Sequence, residues 1–344
     1  MRRKRVKLGN ITLGNGKVYI ESMLKVKTSF YKKALIQAKK LQKQGCEILR
    51  LAVKDEEDVK CLSKIKSHLN IPLIADVHYN PKLALQSLEV VECVRINPLN
   101  IVRANYIKQI GKKAKELKKV LRIGVNSGSL RNTSLDVKKI FLKRILWAIK
   151  ILEKINFFDI MISAKSRSVI ETVSVNRLIH SKVPYPLHIG VTASGPGLGG
   201  VIKSSIGVGS LLLEGIGDTI RISLTDTPFK EVLVSKYILQ TVEKRRFFYD
   251  LISCPGCGRA DSNFLKMVKK AERILQKANL QSPLSIAIMG CEVNGPGEAK
   301  SADVGFAFGG NFVAYFEKGK VKFKIRKEKF WEYLSKIGER NVLE

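Results

Sequence analysis

Leu73-Ile-Ala-Asp-Val-His78, Cys93-Val-Arg-Ile-Asn97 and Leu121-Arg-Ile-Gly-Val-Asn126 are short β-rich runs that end on polar side chains, each followed by a lysine-rich amphipathic stretch. The unit recurs from residue 17 to about 224, with strands expected at 18–23, 47–53, 73–78, 93–97, 121–126, 159–163, 187–192 and 219–224. Between them, stretches such as 31–44, 107–117 and 141–154 repeat apolar residues at helical spacing. Eight such units fit a closed (β/α)8 TIM barrel, an α/β fold, better than an open doubly wound sheet. No GxGxxG follows the first strand, so a dinucleotide-binding unit is not indicated.

In a (β/α)8 barrel the C-terminal ends of the strands converge on one face, where substrates bind. Those ends supply Arg50, Asp76, His78, Arg95, Asn97, Arg122, Asn126, Lys165, Thr192, Arg221 and Ser223. Four arginines and a lysine on one rim repel one another unless an anion shares the space. Arginine grips phosphoryl oxygens bidentately and lysine adds a mobile point charge, so a phosphate-rich substrate is expected. Asp76 and His78, two apart on one strand face, are placed to orient a hydroxyl or relay a proton. His188, inside strand seven, is a weaker candidate.

Beyond about residue 238 the pattern changes, with strands expected at 247–253, 284–289, 304–308 and 313–316 and a helix at 262–276. The expected division is a barrel over 1–238 and a small α+β domain over 239–344. This second part holds Cys254-Pro-Gly-Cys257 and Cys291-Glu-Val-Asn-Gly-Pro-Gly-Glu298 but no histidine. Three thiols and a carboxylate are a poor set for structural zinc and a suitable one for an iron–sulfur cluster. A lone CxxC also suits a dithiol redox pair.

Six cysteines, three of them scattered, make no disulfide framework and point to a reducing compartment. The start, Met-Arg-Arg-Lys-Arg, precedes no apolar stretch of signal length. Nor is there an uninterrupted apolar run long enough to span a bilayer, so a cytoplasmic location and no membrane contact are expected. The net charge is +32, but the lysines are spread over the whole length rather than gathered in a stripe. Specific nucleic-acid binding is therefore not expected.

With these motifs the chain resembles the bacterial 4-hydroxy-3-methylbut-2-enyl-diphosphate synthases of the non-mevalonate isoprenoid pathway. The resemblance rests on Glu21-Ser-Met, Ala75-Asp-Val-His78, Arg95-Ile-Asn-Pro98, Arg122-Ile-Gly-Val-Asn-Ser-Gly-Ser-Leu130 and Lys203-Ser-Ser-Ile-Gly. It continues through Glu214-Gly-Ile-Gly-Asp-Thr-Ile-Arg-Ile-Ser223 and the two cysteine motifs. It implies a barrel followed by a ferredoxin/sulfite-reductase-like domain with one [4Fe–4S] cluster per subunit, held by Cys254, Cys257, Cys291 and Glu298. It implies reductive opening and dehydration of 2-C-methyl-D-erythritol 2,4-cyclodiphosphate, with two electrons from reduced flavodoxin or ferredoxin. It also implies a homodimer in which the cluster domain of one chain faces the barrel of the other. By the same resemblance, Arg50, Arg95, Arg122, Lys165, Arg221 and Ser223 match the substrate pocket. Asp76, His78, Asn126 and Asn294 are the catalytic candidates, Asn294 near the cluster.

This chain departs from that pattern in two places. It reads Thr192-Ala193-Ser194-Gly195 where the family usually has Thr-Glu-Ala-Gly, so the glutamate implied in proton transfer is missing. Glu21 stands where a glutamine is usual. Two expectations follow from Ala193: a slow enzyme, or a cluster-bearing protein without turnover.

Overall fold

The computed structural model describes residues 3–130, 136–277, 284–292 and 295–339. Eight parallel strands close into a barrel: β1 (Tyr19–Met23), β2 (Ile48–Val53), β3 (Leu73–Val77), β4 (Cys93–Ile96), β5 (Val120–Asn126), β6 (Ile160–Lys165), β7 (Leu187–Ile189) and β8 (Thr219–Ile220). Each is followed by a helix: α1 (Tyr31–Lys43), α2 (Glu56–Lys66), α3 (Pro81–Leu88), α4 (Ala104–Glu116), α5 (Val137–Glu153), α6 (Val169–Lys182), α7 (Gly197–Leu213) and α8 (Pro228–Thr241). Local signals start several of them. Ser168 caps α6 by accepting from the Glu171 N–H, and Asn80 caps α3 ahead of Pro81. Among the described residues no helix is long and apolar enough to cross a membrane.

The barrel interior is layered. Tyr19, Ile48, Ile74, Cys93, Val120 and Met161, near the N-terminal ends of six strands, form an apolar floor. An antiparallel hairpin (Val6–Leu8 with Ile11–Leu13) plugs that end with Val6, Leu8 and Leu13, all buried in the same cluster. Side chains alternate along a strand, so the next inward positions are Glu21, Arg50, Asp76, Arg95, Arg122, Ser163, His188 and Thr219. Above the floor the barrel is therefore filled with charge rather than hydrocarbon.

Strands β7 and β8 end earlier than the expected 192 and 224. At Gly190 a Cβ would lie 2.3 Å from the Arg221 carbonyl oxygen and 3.0 Å from Lys165 Nζ, so the backbone closes in where only glycine fits.

The chain divides into two compact units, Met1–Arg245 and Arg246–Glu344. Residue 238 lies inside α8, where Ile238 and Leu239 are buried. The second unit is a five-stranded sheet in the order β9 (Asp250–Ser253), β10 (Ser285–Met289), β11 (Val304–Gly309), β12 (Phe312–Glu317) and β13 (Lys320–Arg326). β9 to β11 are parallel, and β12 and β13 run antiparallel to their neighbours. Ile286, Ile288, Phe306 and Tyr315 share a buried cluster with Phe264 and Leu275 of α9 (Phe264–Lys277) and with Phe330 and Leu334 of α11 (Phe330–Glu339). Ala287, Met289, Ala307, Ala314 and Phe316 form a second cluster on the other face.

Candidate active site

Glu21 on β1 and Arg122 on β5 stand on opposite sides of the closed barrel, and their side chains meet across it. Both are fully buried; Arg122 Nη1 donates to Glu21 Oε1 at 2.9 Å and Nη2 to Oε2. Arg50 Nη1 lies 3.8 Å from Glu21, and its Nε 3.8 Å from Asp76. Arg95 donates to Asp76 at 3.1 Å and to the Gly124 carbonyl at 2.9 Å, and its Nη1 lies 2.9 Å from His78 Nε2. Burial alone raises the Glu21 carboxyl, but Arg122, with Arg50 and Lys165 beyond it, overcomes this and holds it below its ordinary range. Asp76 is likewise held well below that range by Arg50 and Arg95 against the effect of burial.

The two inner carboxylates do not compensate all the cations. Glu231 of α8 reaches Arg221 only at 3.9 Å and is also 3.0 Å from Lys25. Lys165 Nζ, Arg221 Nε and His188 Nε2 are buried without a hydrogen-bond partner among the described residues. Desolvation, then the Arg50 and Arg221 charges, pushes Lys165 well below its ordinary range. Desolvation, then Arg50, lowers Arg221 to about 10. His188 is held neutral by burial and by Lys165 and Arg122; its Nδ1 lies 2.8 Å from Thr219 Oγ1 and 3.4 Å from Glu21. Buried polar groups are almost always satisfied, so these unsatisfied nitrogens inside the barrel mark a place for an anion.

In the second unit, Cys254 follows β9 and Cys291 follows β10, two neighbouring parallel strands. Cys254 Sγ accepts a hydrogen bond from the Gly290 N–H at 3.2 Å, one residue before Cys291. Cys254, Cys257 and Cys291 are all free thiols, Cys257 exposed. Among the described residues no three His, Cys, Asp or Glu side chains are gathered closely enough to hold a metal ion. The donor set itself fits an iron–sulfur group: thiols on adjacent strand ends, with Glu298 exposed at the end of the short helix α10 (Gly295–Glu298).

Comparison with known proteins gives two matches in sequence order. The GcpE TIM-barrel domain matches residues 3–236, and the GcpE protein C-terminal domain matches residues 250–340. The chain belongs to the GcpE family. A relative from Caldanaerobacter subterraneus subsp. tengcongensis is 41% identical over 99% of this chain and 98% of its own length. One from Thermodesulfovibrio yellowstonii is 45% identical over 92% and 93%. Both are named 4-hydroxy-3-methylbut-2-en-1-yl diphosphate synthase (flavodoxin). Among solved structures, the dihydropteroate synthases of Yersinia pestis (TM-score 0.53, 11% identity, 70% of this chain and 98% of that one) and Vibrio fischeri (0.52, 11%, 71% and 100%) share the barrel fold.

The expected site residues of this GcpE chain fall into distinct settings. Arg50, Asp76, His78, Arg95, Arg122, Lys165 and Arg221 are brought together inside the barrel. Arg122 lies deeper than the rim, with both terminal nitrogens on Glu21. Asn126 ends β5 opposite Lys165 and accepts from Ser129, and Ser223, partly buried, follows β8. Asn294 lies outside the described residues. Ala193 is exposed at φ +51°, and Ser194 is buried against Ser204 of α7. Glu214 pairs with Arg177 at the opposite end of α7, far along the helix from the strand-seven loop. Sequence reasoning missed Glu21 as a site residue, although its place amid β1, a buried strand, was the available signal.

Removing one partner of a buried ion pair typically costs about 3–5 kcal/mol. Glu21→Ala should therefore lower barrel stability by an amount of that order, and Glu21→Gln by less, since an amide still accepts a hydrogen bond. Because Glu21 and Asp76 are held below their unfolded values, their stabilisation is present above about pH 4 and is lost as pH falls through the folded values. Urea midpoints between about pH 6 and 3 should fall less steeply in Glu21→Gln; identical profiles would show that Glu21 is not ionised in the fold.

Proposed function

We propose that this chain reductively opens 2-C-methyl-D-erythritol 2,4-cyclodiphosphate and eliminates water to give 4-hydroxy-3-methylbut-2-enyl diphosphate. Reduced flavodoxin or ferredoxin supplies two electrons through one [4Fe–4S] cluster per subunit, and the working form is a cytoplasmic homodimer. The observation that carries this reading is the near full-length likeness to synthases of that name. The unsatisfied cations of the barrel support it, because they suit a diphosphate.

Lys165 and Arg221 are the groups with free donors, and they are proposed to take the diphosphate oxygens, with Arg50 beside them. Asp76 is held ionised, so its part is to anchor Arg50 and Arg95 rather than to give up a proton. Arg95, fixed by Asp76 and the Gly124 carbonyl, in turn orients His78 towards the substrate hydroxyls. Asn126 and Ser223 add neutral hydrogen bonds at the mouth. Arg122 is proposed to stand behind the substrate and shape the pocket wall, since Glu21 occupies it. Cys254, Cys257, Cys291 and Glu298 would hold the cluster, whose binding and the final ordering of their loops form one event. Bound there, it supplies single electrons and a Lewis-acidic iron. Asn294 is proposed to hydrogen-bond beside it.

Anaerobic reconstitution should give about four irons and four sulfides per chain, and turnover of the cyclic diphosphate with reduced flavodoxin. Each of Cys254→Ala, Cys257→Ala and Cys291→Ala should abolish the cluster, while Glu298→Ala should weaken it. Tightly bound zinc without iron–sulfur absorption would refute the cofactor assignment.

At Ala193 a methyl group can neither give nor take a proton, and neither Ser194 nor Glu214 is placed to substitute. Positioned acid–base groups commonly contribute about 10²–10⁴-fold. Ala193→Glu adds no new backbone strain, because alanine already places a Cβ at φ +51°. It should raise kcat at least tenfold with KM and iron content nearly unchanged; a wild-type rate that does not rise in the variant would show the acid to be dispensable.

A further inference from the structure

We propose that strand β13 and its flanks form the docking surface for an acidic electron-carrier protein, delivering electrons beside Cys291. This inference rests on the cluster reading above and assigns its partner face.

Residues 317–329 read Glu-Lys-Gly-Lys-Val-Lys-Phe-Lys-Ile-Arg-Lys-Glu-Lys, a segment in which cations greatly outnumber carboxylates. β13 is an edge of the five-stranded sheet, and all of its residues except Ile325 are exposed. Lysines on an edge strand protect it from pairing with other chains, and protection alone would account for the charge. It does not account for the apolar groups set among them. Val321, Phe323 and, on the adjoining strand, Phe312 are 51%, 40% and 51% exposed. Phe323 is stacked on Tyr315 at 4.8 Å and keeps part of its ring exposed. Exposed apolar groups beside an excess of cations suit a short-lived protein contact, and electron-transfer complexes use small interfaces of this kind. The position is equally specific. Lys324 Nζ lies 3.2 Å from the Glu292 carboxylate, so the strand abuts the turn that begins at Cys291. Lys322 is paired with Glu317 at 3.5 Å, but Lys320 and Arg326 project from the strand without a comparable ion pair among the described residues. An acidic partner would complement this excess and be steered to the cluster side of the unit.

The test is binding of oxidised flavodoxin to the reconstituted protein, by titration at several ionic strengths, beside turnover with photoreduced deazaflavin as a small-molecule reductant. Lys320→Glu/Lys322→Glu should raise the flavodoxin Kd at least tenfold and flatten its salt dependence. Iron content and deazaflavin-driven turnover should stay unchanged. Lys112→Glu/Lys119→Glu makes the same charge change on the barrel unit and should weaken binding far less. Equal losses in the two double variants would reduce the effect to net charge and overturn the proposal. So would an unchanged Kd in the β13 variant, leaving those lysines as edge protection only. Absence of turnover with deazaflavin would instead count against the catalytic reading, while flavodoxin binding would still decide the docking face.

Discussion

The Glu21–Arg122 pair crosses a barrel whose interior would otherwise be intolerably cationic. Arg50, Arg95, Arg122, Lys165 and Arg221 all project towards one another, and charges of one sign in a low-dielectric space destabilise the fold unless paired. Glu21 and Asp76 offset Arg122, Arg95 and Arg50, which lets the strands close. What they leave uncompensated is Lys165 and much of Arg221, higher towards the mouth. The charges in the lower part of the barrel are thus paired internally and the upper part awaits an anion. The apolar floor and its hairpin plug keep water from entering at the other end.

This arrangement was partly legible in the sequence. The barrel strands stood out because each is a β-rich run with a polar end, and the repeat of that unit is itself the fold signal. The hairpin was not legible. Val-Lys-Leu and Ile-Thr-Leu are too short to carry a pattern, and their burial comes from the barrel they plug. β13 also escaped notice: Lys-Val-Lys-Phe-Lys-Ile-Arg reads as solvated chain, and it becomes a strand by adding to the edge of β12. The early ends of β7 and β8 depend on Gly190 meeting the Arg221 backbone, a closeness that only closure creates.

For the site, strand-end logic found the cations but not how they are distributed. Arg122 was expected on the rim and sits in the interior, because its partner Glu21 is 101 residues away in sequence and directly across the lumen. Glu21 stood out in the sequence only as a departure from the family pattern and, lying mid-strand, was not gathered with the strand-end residues, yet it fixes two arginines and faces His188. The cysteine motifs were legible by composition, and the structure adds that Cys254 and the residue before Cys291 touch.

The central claim is that the barrel holds a buried, unpaired Lys165 ready for a phosphate-rich anion. Calorimetric titration with inorganic pyrophosphate at about pH 8, in buffers of different ionisation enthalpy, addresses it directly. Burial and the neighbouring arginines disfavour the charged form of Lys165, and an anion beside it favours that form, so binding should be accompanied by proton uptake and should strengthen as pH falls. Wild-type protein should bind pyrophosphate with proton uptake, and Lys165→Met should bind more weakly with that uptake lost. Equal affinity and equal proton uptake in the two proteins would contradict it.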